Sequence, residues 1–332
     1  MRVVITGAAG FIGRKLADRL LDRGYLAGPD GPQTPITELV LFDIAPSGIA
    51  GRNGIAVDDR AGDIADRETV DALLDGRAAS VFHLAAVVSS AAEADFDLGM
   101  RVNLDGTRVL LDACRALPTP ARLVGTSSVA VFGGALPPVI LDDTALTPQS
   151  SYGAQKAAGE FLVTDYSRKG FVDGRVLRLP TIVVRPGRPN KAASSFASSL
   201  FREPLQGEQA VIPVPAETPM WLSSPRRAVD ALVHGHDLDG AAFGDSRSVS
   251  LPGLSLTVAE MAEALGRAGG PEALDRLVWQ RDPAIEAIVG SWPAKFDTAK
   301  ANALGFPVDP EIDAILAAFK EDDMVRASAH RS

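Results

Sequence analysis

Apolar residues in the first half of the chain come in short, largely β-branched runs separated by stretches with helical spacing. Val3, Val4 and Ile5 form a run of strand length, and Phe11, Ile12, Leu16, Leu20 and Leu21 recur at intervals that share one helix face. The alternation continues. The pattern predicts strands over 39–42, 55–57 (a weak one), 80–86, 123–127 and 175–184, and helices over 66–74, 94–117 and 152–167. The run over 80–86 is apolar on both faces, as a strand covered on both sides requires. Strands that alternate with helices in this way connect by right-handed crossovers. The predicted class is α/β, a doubly wound parallel sheet of Rossmann type.

Beyond Arg185 the texture changes. Seven prolines, from Pro186 to Pro225, break the pattern, and Ser194, Ser195, Ser198 and Ser199 crowd one segment. These read as loops and short elements laid over the strand ends, where open α/β sheets bind ligands. Amphipathic helices are expected over 256–268 and 311–320, with a frayed end over 327–332. The expected division is 1–185, mainly dinucleotide-binding, and 186–332, mainly a smaller substrate-binding region with C-terminal helices.

Between the first strand and helix lies Thr6-Gly7-Ala8-Ala9-Gly10-Phe11-Ile12-Gly13. Gly7, Gly10 and Gly13 let the backbone turn tightly and approach a pyrophosphate at the helix N-terminus. A glycine turn alone is common; the flanking strand and helix give this one its meaning. The second long strand ends at Asp43, whose carboxylate suits ribose hydroxyls and repels a 2′-phosphate. Ile44, Ala45 and Pro46 follow, with no basic residue, so NAD is expected over NADP. Asp43 lies 30 positions past Gly13, against about 20 for the usual motif. The excess falls on the Gly28-Pro29-Asp30-Gly31-Pro32 region, which reads as an inserted loop. Asp63, in Gly62-Asp63-Ile64, is placed to meet the adenine.

Tyr152 and Lys156 stand four apart in Tyr152-Gly153-Ala154-Gln155-Lys156, about two dozen residues after Ser127-Ser128. On a helix the pair shares a face. A tyrosine titrates near 10 and is a poor base at neutral pH; a nearby ammonium favours its phenolate. Tyr152 then reads as the base, Lys156 as its electrostatic partner and a ribose contact, and Ser128 as the holder of the substrate oxygen. Together they would move a proton and a hydride.

These residues resemble the extended short-chain dehydrogenase/reductase family of nucleotide-sugar epimerases and dehydratases. The likeness includes His83-Leu84-Ala85-Ala86, Asn103-Leu104-Asp105-Gly106-Thr107, Ser127-Ser128-Val129-Ala130-Val131-Phe132-Gly133 and the tail Phe296-Asp297-Thr298-Ala299-Lys300-Ala301. It implies that Phe11, Ile12, Ile64, Leu84, Ala85, Ala86 and Asn103 join the glycines, Asp43, Asp63, Tyr152 and Lys156 around NAD. It also implies a homodimer packed through the helices over 94–117 and 152–167. One departure bears on the substrate. Pro219 stands where nucleotide-sugar members carry a diphosphate-binding arginine, and Arg226 where they carry an aspartate. The stretch Arg185-Pro186-Gly187-Arg188-Pro189-Asn190-Lys191 and the insertion before Asp43 instead resemble the D-erythronate-oxidising branch, which takes the 2-hydroxyl of a four-carbon sugar acid to a ketone. Arg188 or Asn190 is expected to receive the carboxylate, with Ser194 and Ser195 nearby. A nucleotide-sugar epimerase and an L-threonine 3-dehydrogenase-like enzyme are the alternatives.

Composition narrows the rest. At 332 residues, 46% apolar and 23% charged, the chain can bury a sizeable core. A net charge of −9 argues against nucleic acid or an anionic membrane as partner. The lone Cys114 sits in an apolar helical run and reads as packing. No run reaches the ~20 apolar residues of a membrane span, and the chain enters a strand by Arg2, so a cytoplasmic enzyme is expected. His234-Gly235-His236 lies two apart on a helix, which does not share a face, so no metal is expected.

Overall fold

The computed structural model describes residues 1–28, 31, 33–187 and 192–324. The chain runs β1 (Arg2–Thr6), α1 (Phe11–Arg23), β2 (Tyr25–Ala27), β3 (Gln33–Pro35), β4 (Glu38–Asp43), β5 (Ala56–Ala61), α2 (Arg67–Leu74) and β6 (Ser80–His83). Next come α3 (Ser89–Ala94), α4 (Phe96–Gly99), a π-helical turn (Met100–Asp105), α5 (Gly106–Arg115), β7 (Arg122–Ser128), α6 (Ser151–Arg168), β8 (Asp173–Leu179) and β9 (Thr181–Ile182). The remainder includes α7 (Ser195–Leu205), β10 (Ala210–Ile212), β11 (Pro219–Ser223), α8 (Pro225–Asp237), β12 (Ser248–Ser250), β13 (Leu254–Thr257) and α9 (Val258–Gly269). It closes with α10 (Pro271–Leu274), β14 (Leu277–Trp279), α11 (Pro283–Gly290), α12 (Ala299–Ala303) and α13 (Ile312–Phe319).

Seven strands form one parallel sheet in the order β12-β8-β7-β6-β1-β4-β5. The two-residue period of β1 is visible in its packing. Val3 and Ile5 face the core shared with α1 and α8, and Val4 faces the core shared with α2, α5 and α6. Both faces are therefore covered, as the near-continuous apolar strands predict. The order reverses between β1 and β6, so the carboxyl ends of those two strands open the crevice where such sheets take their ligands.

A separate small sheet, β13-β11-β9, packs with α7, α9 and α13 around its own core of Phe196, Phe201, Leu222, Met261 and Ile315. The division at 185 does not cut the chain cleanly, because α8 and β12 return to the large sheet. Neither element is legible as apolar period alone. Ser224 accepts from Arg227 N–H and Pro225 begins the helix, while Ser248–Ser250 is only three residues long.

Three expectations change. The helix over 94–117 is broken: Asp95 is extended and caps α4 by accepting from Leu98 N–H, and a π turn carries Asn103 inward. The strand over 175–184 divides at Pro180, which lacks an N–H for a ladder, and its second piece joins the small sheet. The strand over 80–86 ends at His83. Of the inserted loop expected over 28–32, Gly28 and Gly31 lie in no strand and 29, 30 and 32 lie outside the described residues; on either side β2 and β3 pair antiparallel, and Ala27 N–H donates to Asp237 at the end of α8. This hairpin sits at the amino-terminal edge of the sheet, opposite the crevice, so the long spacing from Gly13 to Asp43 leaves the cofactor side undisturbed.

Candidate active site

Two cavities meet over the glycine loop, sharing Gly7, Gly10, Leu84 and Ala86. One, about 550 Å³, is lined by Asp43, Ile44, Asp63, Ile64, Ala85 and Arg101 among others. The second, about 350 Å³, holds Phe11, Ile12, Gly13, Ser127, Ser128, Tyr152, Lys156, Arg185, Ser194 and Trp292.

The loop is built so tightly that side chains are excluded. Gly7 has φ +75°, and a Cβ on it would fall 2.6 Å from the Ala85 nitrogen. A Cβ on Gly13 would fall 2.1 Å from the Gly7 carbonyl oxygen. Close backbone passage at the N-terminus of α1 is what a dinucleotide's pyrophosphate needs. At the end of β4, Asp43 accepts from Ala9 N–H (3.0 Å) and Ile44 N–H (2.7 Å), which fixes its carboxylate at the rim. Asp63 accepts from Ala65 N–H and is ion-paired with Arg101. The cradle, the rim carboxylate and the paired cavities all fit NAD.

Asn103 is buried but lines neither cavity. It accepts from Val87 N–H (2.7 Å) and donates to Val87 O and to Gln155 Oε1 (2.7 Å), so it holds the loop after β6 from behind. His83 is similarly structural. Thr107 donates its proton to Asn103 O, so it can only accept from His83 Nε2, and His83 Nδ1 then accepts from Thr6. Burial and the nearby Lys156 push this imidazole down to about 3, keeping it neutral.

On α6, Lys156 Nζ lies 5.8 Å from the Tyr152 ring centroid and donates to Thr126 O at 3.0 Å. Burial lowers the lysine to about 8, against the pull of Glu160 one turn further along. Glu160 is itself neutralised by a two-pronged pair with Arg178. Ser128 accepts from Ala130 N–H (3.2 Å), which leaves its proton to donate, and it lines the same cavity as Tyr152. Burial raises Tyr152 to about 12, while Arg185 and Ser128 pull it down. Arg185 is a second cation beside the tyrosine: with Ser128 it favours the phenolate, while burial lowers the guanidinium itself to about 10.

Arg185 donates from Nε to Ile182 O (3.1 Å) and from Nη2 to Ser194 Oγ (2.8 Å). Of the expected substrate contacts, Ser194 lines the second cavity and Ser195 lines a neighbouring groove. Arg188 and Asn190 lie outside the described residues. Arg185 and Trp292 were not among the expected contacts. Arg185 heads the arginine- and proline-rich stretch, but its place beside Tyr152 is tertiary and no local pattern encodes it; an isolated tryptophan after α11 carries no local signal either. Pro219 opens β11, and Arg226 pairs with Glu321 and Asp322, away from this cavity. His234 binds Leu304 O and His236 binds Ser80 and Asp237; no metal-binding cluster occurs among the described residues.

A doubly wound sheet with a glycine cradle at its switch point and a Ser-Tyr-Lys trio beside it is the build of a nicotinamide-dependent oxidoreductase. The chain belongs to the NAD dependent epimerase/dehydratase family, whose model matches residues 3–221, and its cofactor is NAD. It is 56% identical to a D-erythronate dehydrogenase of Cupriavidus necator over 97% of this chain and 98% of that one. It is 45% identical to a D-erythronate dehydrogenase of Haemophilus influenzae over 98% and 100%. A solved nucleoside-diphosphate-sugar epimerase from Agrobacterium tumefaciens is 43% identical, with a TM-score of 0.90 over 98% of this chain and 95% of that one.

Proposed function

We propose that this enzyme oxidises the 2-hydroxyl of D-erythronate, or a close four-carbon sugar acid, to the 2-oxo acid. The observation that carries the reading is the half-buried guanidinium of Arg185 in the same cavity as Tyr152 and Ser128. A cation there can receive a carboxylate bonded to the reacting carbon, and its five donors suit an acid's two oxygens. Bound NAD supplies the hydride acceptor. Gly7, Gly10, Phe11, Ile12 and Gly13 would hold its pyrophosphate, Asp43 its adenosine ribose, and Asp63, Ile64, Leu84, Ala85 and Ala86 the adenine side.

Ser128 holds the substrate hydroxyl by hydrogen bonding and orients it at Tyr152. The phenolate of Tyr152 takes the hydroxyl proton as the carbon–hydrogen pair leaves as hydride, so the C–O bond becomes a ketone. Lys156, anchored to Thr126 O, sets the ribose and passes its charge to the site while it remains protonated. Arg185 has two tasks here: it seats the carboxylate and favours the phenolate. With Arg226 drawn to the C-terminal segment and Pro219 in β11, a sugar-nucleotide diphosphate loses its usual clamp.

The enzyme works as a homodimer through α5 and α6, the latter exposing Phe161 at 65%; light scattering giving a monomeric mass would contradict this. The test of the reaction is steady NADH formation with NAD and D-erythronate. An epimerase returns its hydride and accumulates none, and turnover of L-threonine without turnover of sugar acids would redirect the assignment.

A further inference from the structure

Part of the serine cluster that follows Arg185 lies along one face of α7. Ser194, Ser198 and Arg202 stand four residues apart, so the helix stacks them one above another. All three are buried, and each binds the same residue. Ser194 Oγ accepts from Arg185 Nη2 at 2.8 Å, and Ser198 Oγ accepts from the Arg185 backbone N–H at 3.0 Å. Arg202 Nη1 donates to the Arg185 carbonyl at 2.6 Å. One helix face thus holds the backbone donor, the backbone acceptor and the guanidinium of Arg185.

The needs of α7 itself do not call for these side chains. Ser194 takes the N-cap position, where a serine ordinarily accepts from a backbone N–H of the first turn. Here its side chain caps nothing, and its hydroxyl serves Arg185 instead. Arg202 is 4% exposed on a helix whose Phe196, Leu200 and Phe201 pack in the small-sheet core. A cation so placed is less favourable than an apolar side chain unless its partners are supplied. Arg202 Nη2 meets Ser199 Oγ (3.1 Å) and Glu203 Oε1 (2.6 Å), which balances its charge and leaves Nη1 on the Arg185 carbonyl. With Nε on Ile182 O, two of the three guanidinium nitrogens of Arg185 are fixed. A group held in this way has its place set before a ligand arrives.

We propose that Ser194, Ser198 and Arg202 are positioning residues that act on the substrate through Arg185, fixing where the carboxylate of a sugar acid docks relative to Tyr152. This rests on the sugar-acid reading above, in which Arg185 receives that carboxylate. Ser194 then serves the carboxylate indirectly, as the acceptor that aims the guanidinium.

The experiment is a pair of double-mutant cycles on the full chain with NAD and D-erythronate. Ser194→Ala and Arg202→Met are each made alone and together with Arg185→Met. Each alone is expected to lower kcat/KM about tenfold, mostly through a higher KM, because a shifted docking group misplaces the reacting carbon. In the Arg185→Met background neither adds more than about twofold. Arg202→Lys, which keeps a donor for the Arg185 carbonyl, recovers most of what Arg202→Met loses. Arg202→Met strips Glu203 of its partner, so unfolding midpoints are followed, and Ser194→Ala carries the test if that variant does not fold. Losses of the same size with and without Arg185 overturn the proposal alone, since the residues then act on the substrate or the fold directly. An unchanged KM in Ser194→Ala does the same. If Arg185→Met costs nothing, or the unmodified enzyme turns over no sugar acid, the sugar-acid reading fails and this proposal fails with it.

Discussion

The cofactor half and the substrate half of this crevice are made in different ways. Around the glycine loop the fit is set by backbone: Gly7 passes Ala85, Gly13 passes the Gly7 carbonyl, and any Cβ would collide. Across the cavity the contacts are single side chains from distant segments, Arg185 after β9, Ser194 before α7 and Trp292 after α11. Backbone cradles bind what a whole superfamily shares. Isolated side chains can be exchanged one at a time, and that wall is where the proposed function puts substrate choice. Tyr152 stands on the seam between them.

The largest expected effect is on the seam. Tyr152→Phe lowers kcat by about 10³-fold, the range of a lost general base, while NAD affinity measured by fluorescence titration stays within about twofold. Gly13→Ala breaks the first half. Its methyl has no room, so NAD binding weakens by about two orders of magnitude or the loop unfolds locally, which hydrogen exchange over 7–13 would register.

Arg185→Met breaks the second half and leaves the first intact. kcat/KM for the sugar acid falls by about 10²-fold through loss of a charged hydrogen-bond pair, with NAD affinity unchanged. The sign of its pH effect follows from the Tyr152 shifts. Arg185 favours the phenolate, so without it the phenol is harder to ionise and the rise of oxidation rate with pH moves to higher pH. A rise at unchanged pH would assign Tyr152's activation to Lys156 instead.

Much of the first half was legible in the chain because its signals are local. Gly7, Gly10 and Gly13 lie within seven residues, Asp43 ends an apolar strand, and Tyr152 with Lys156 spans one helical turn. The β1-α1 unit and the parallel order follow from periods of two and 3.6. The break in the helix expected over 94–117 was not legible. Its cause is tertiary, because Asn103 turns inward to hold Val87 and Gln155, and no apolar spacing encodes that. Arg185 and Trp292 were hidden for the same reason. A lone arginine or tryptophan gains meaning only when the fold buries it beside Tyr152.

A smaller effect concerns stability and spares both halves. His83 and His236 are held neutral by burial, with values near 3 and 4. Each folded value lies below the ordinary 6.5, so below that pH the unfolded chain takes up protons that the fold refuses. Stability should fall as pH drops from about 6.5 toward 4, by about 1.4 kcal/mol per unit for each histidine. Denaturant midpoints across that window would reveal it, and a flat profile would contradict the burial.

The central claim is net transfer of the C2 hydrogen of a sugar acid to NAD. D-Erythronate carrying deuterium at C2, incubated with excess NAD, tests it directly. The account predicts deuterated NADH in many equivalents per chain, together with an unlabelled 2-oxo acid. Unlabelled NADH would mean that another carbon is oxidised, and label kept in the acid with no more than one equivalent of NADH would mean an epimerase.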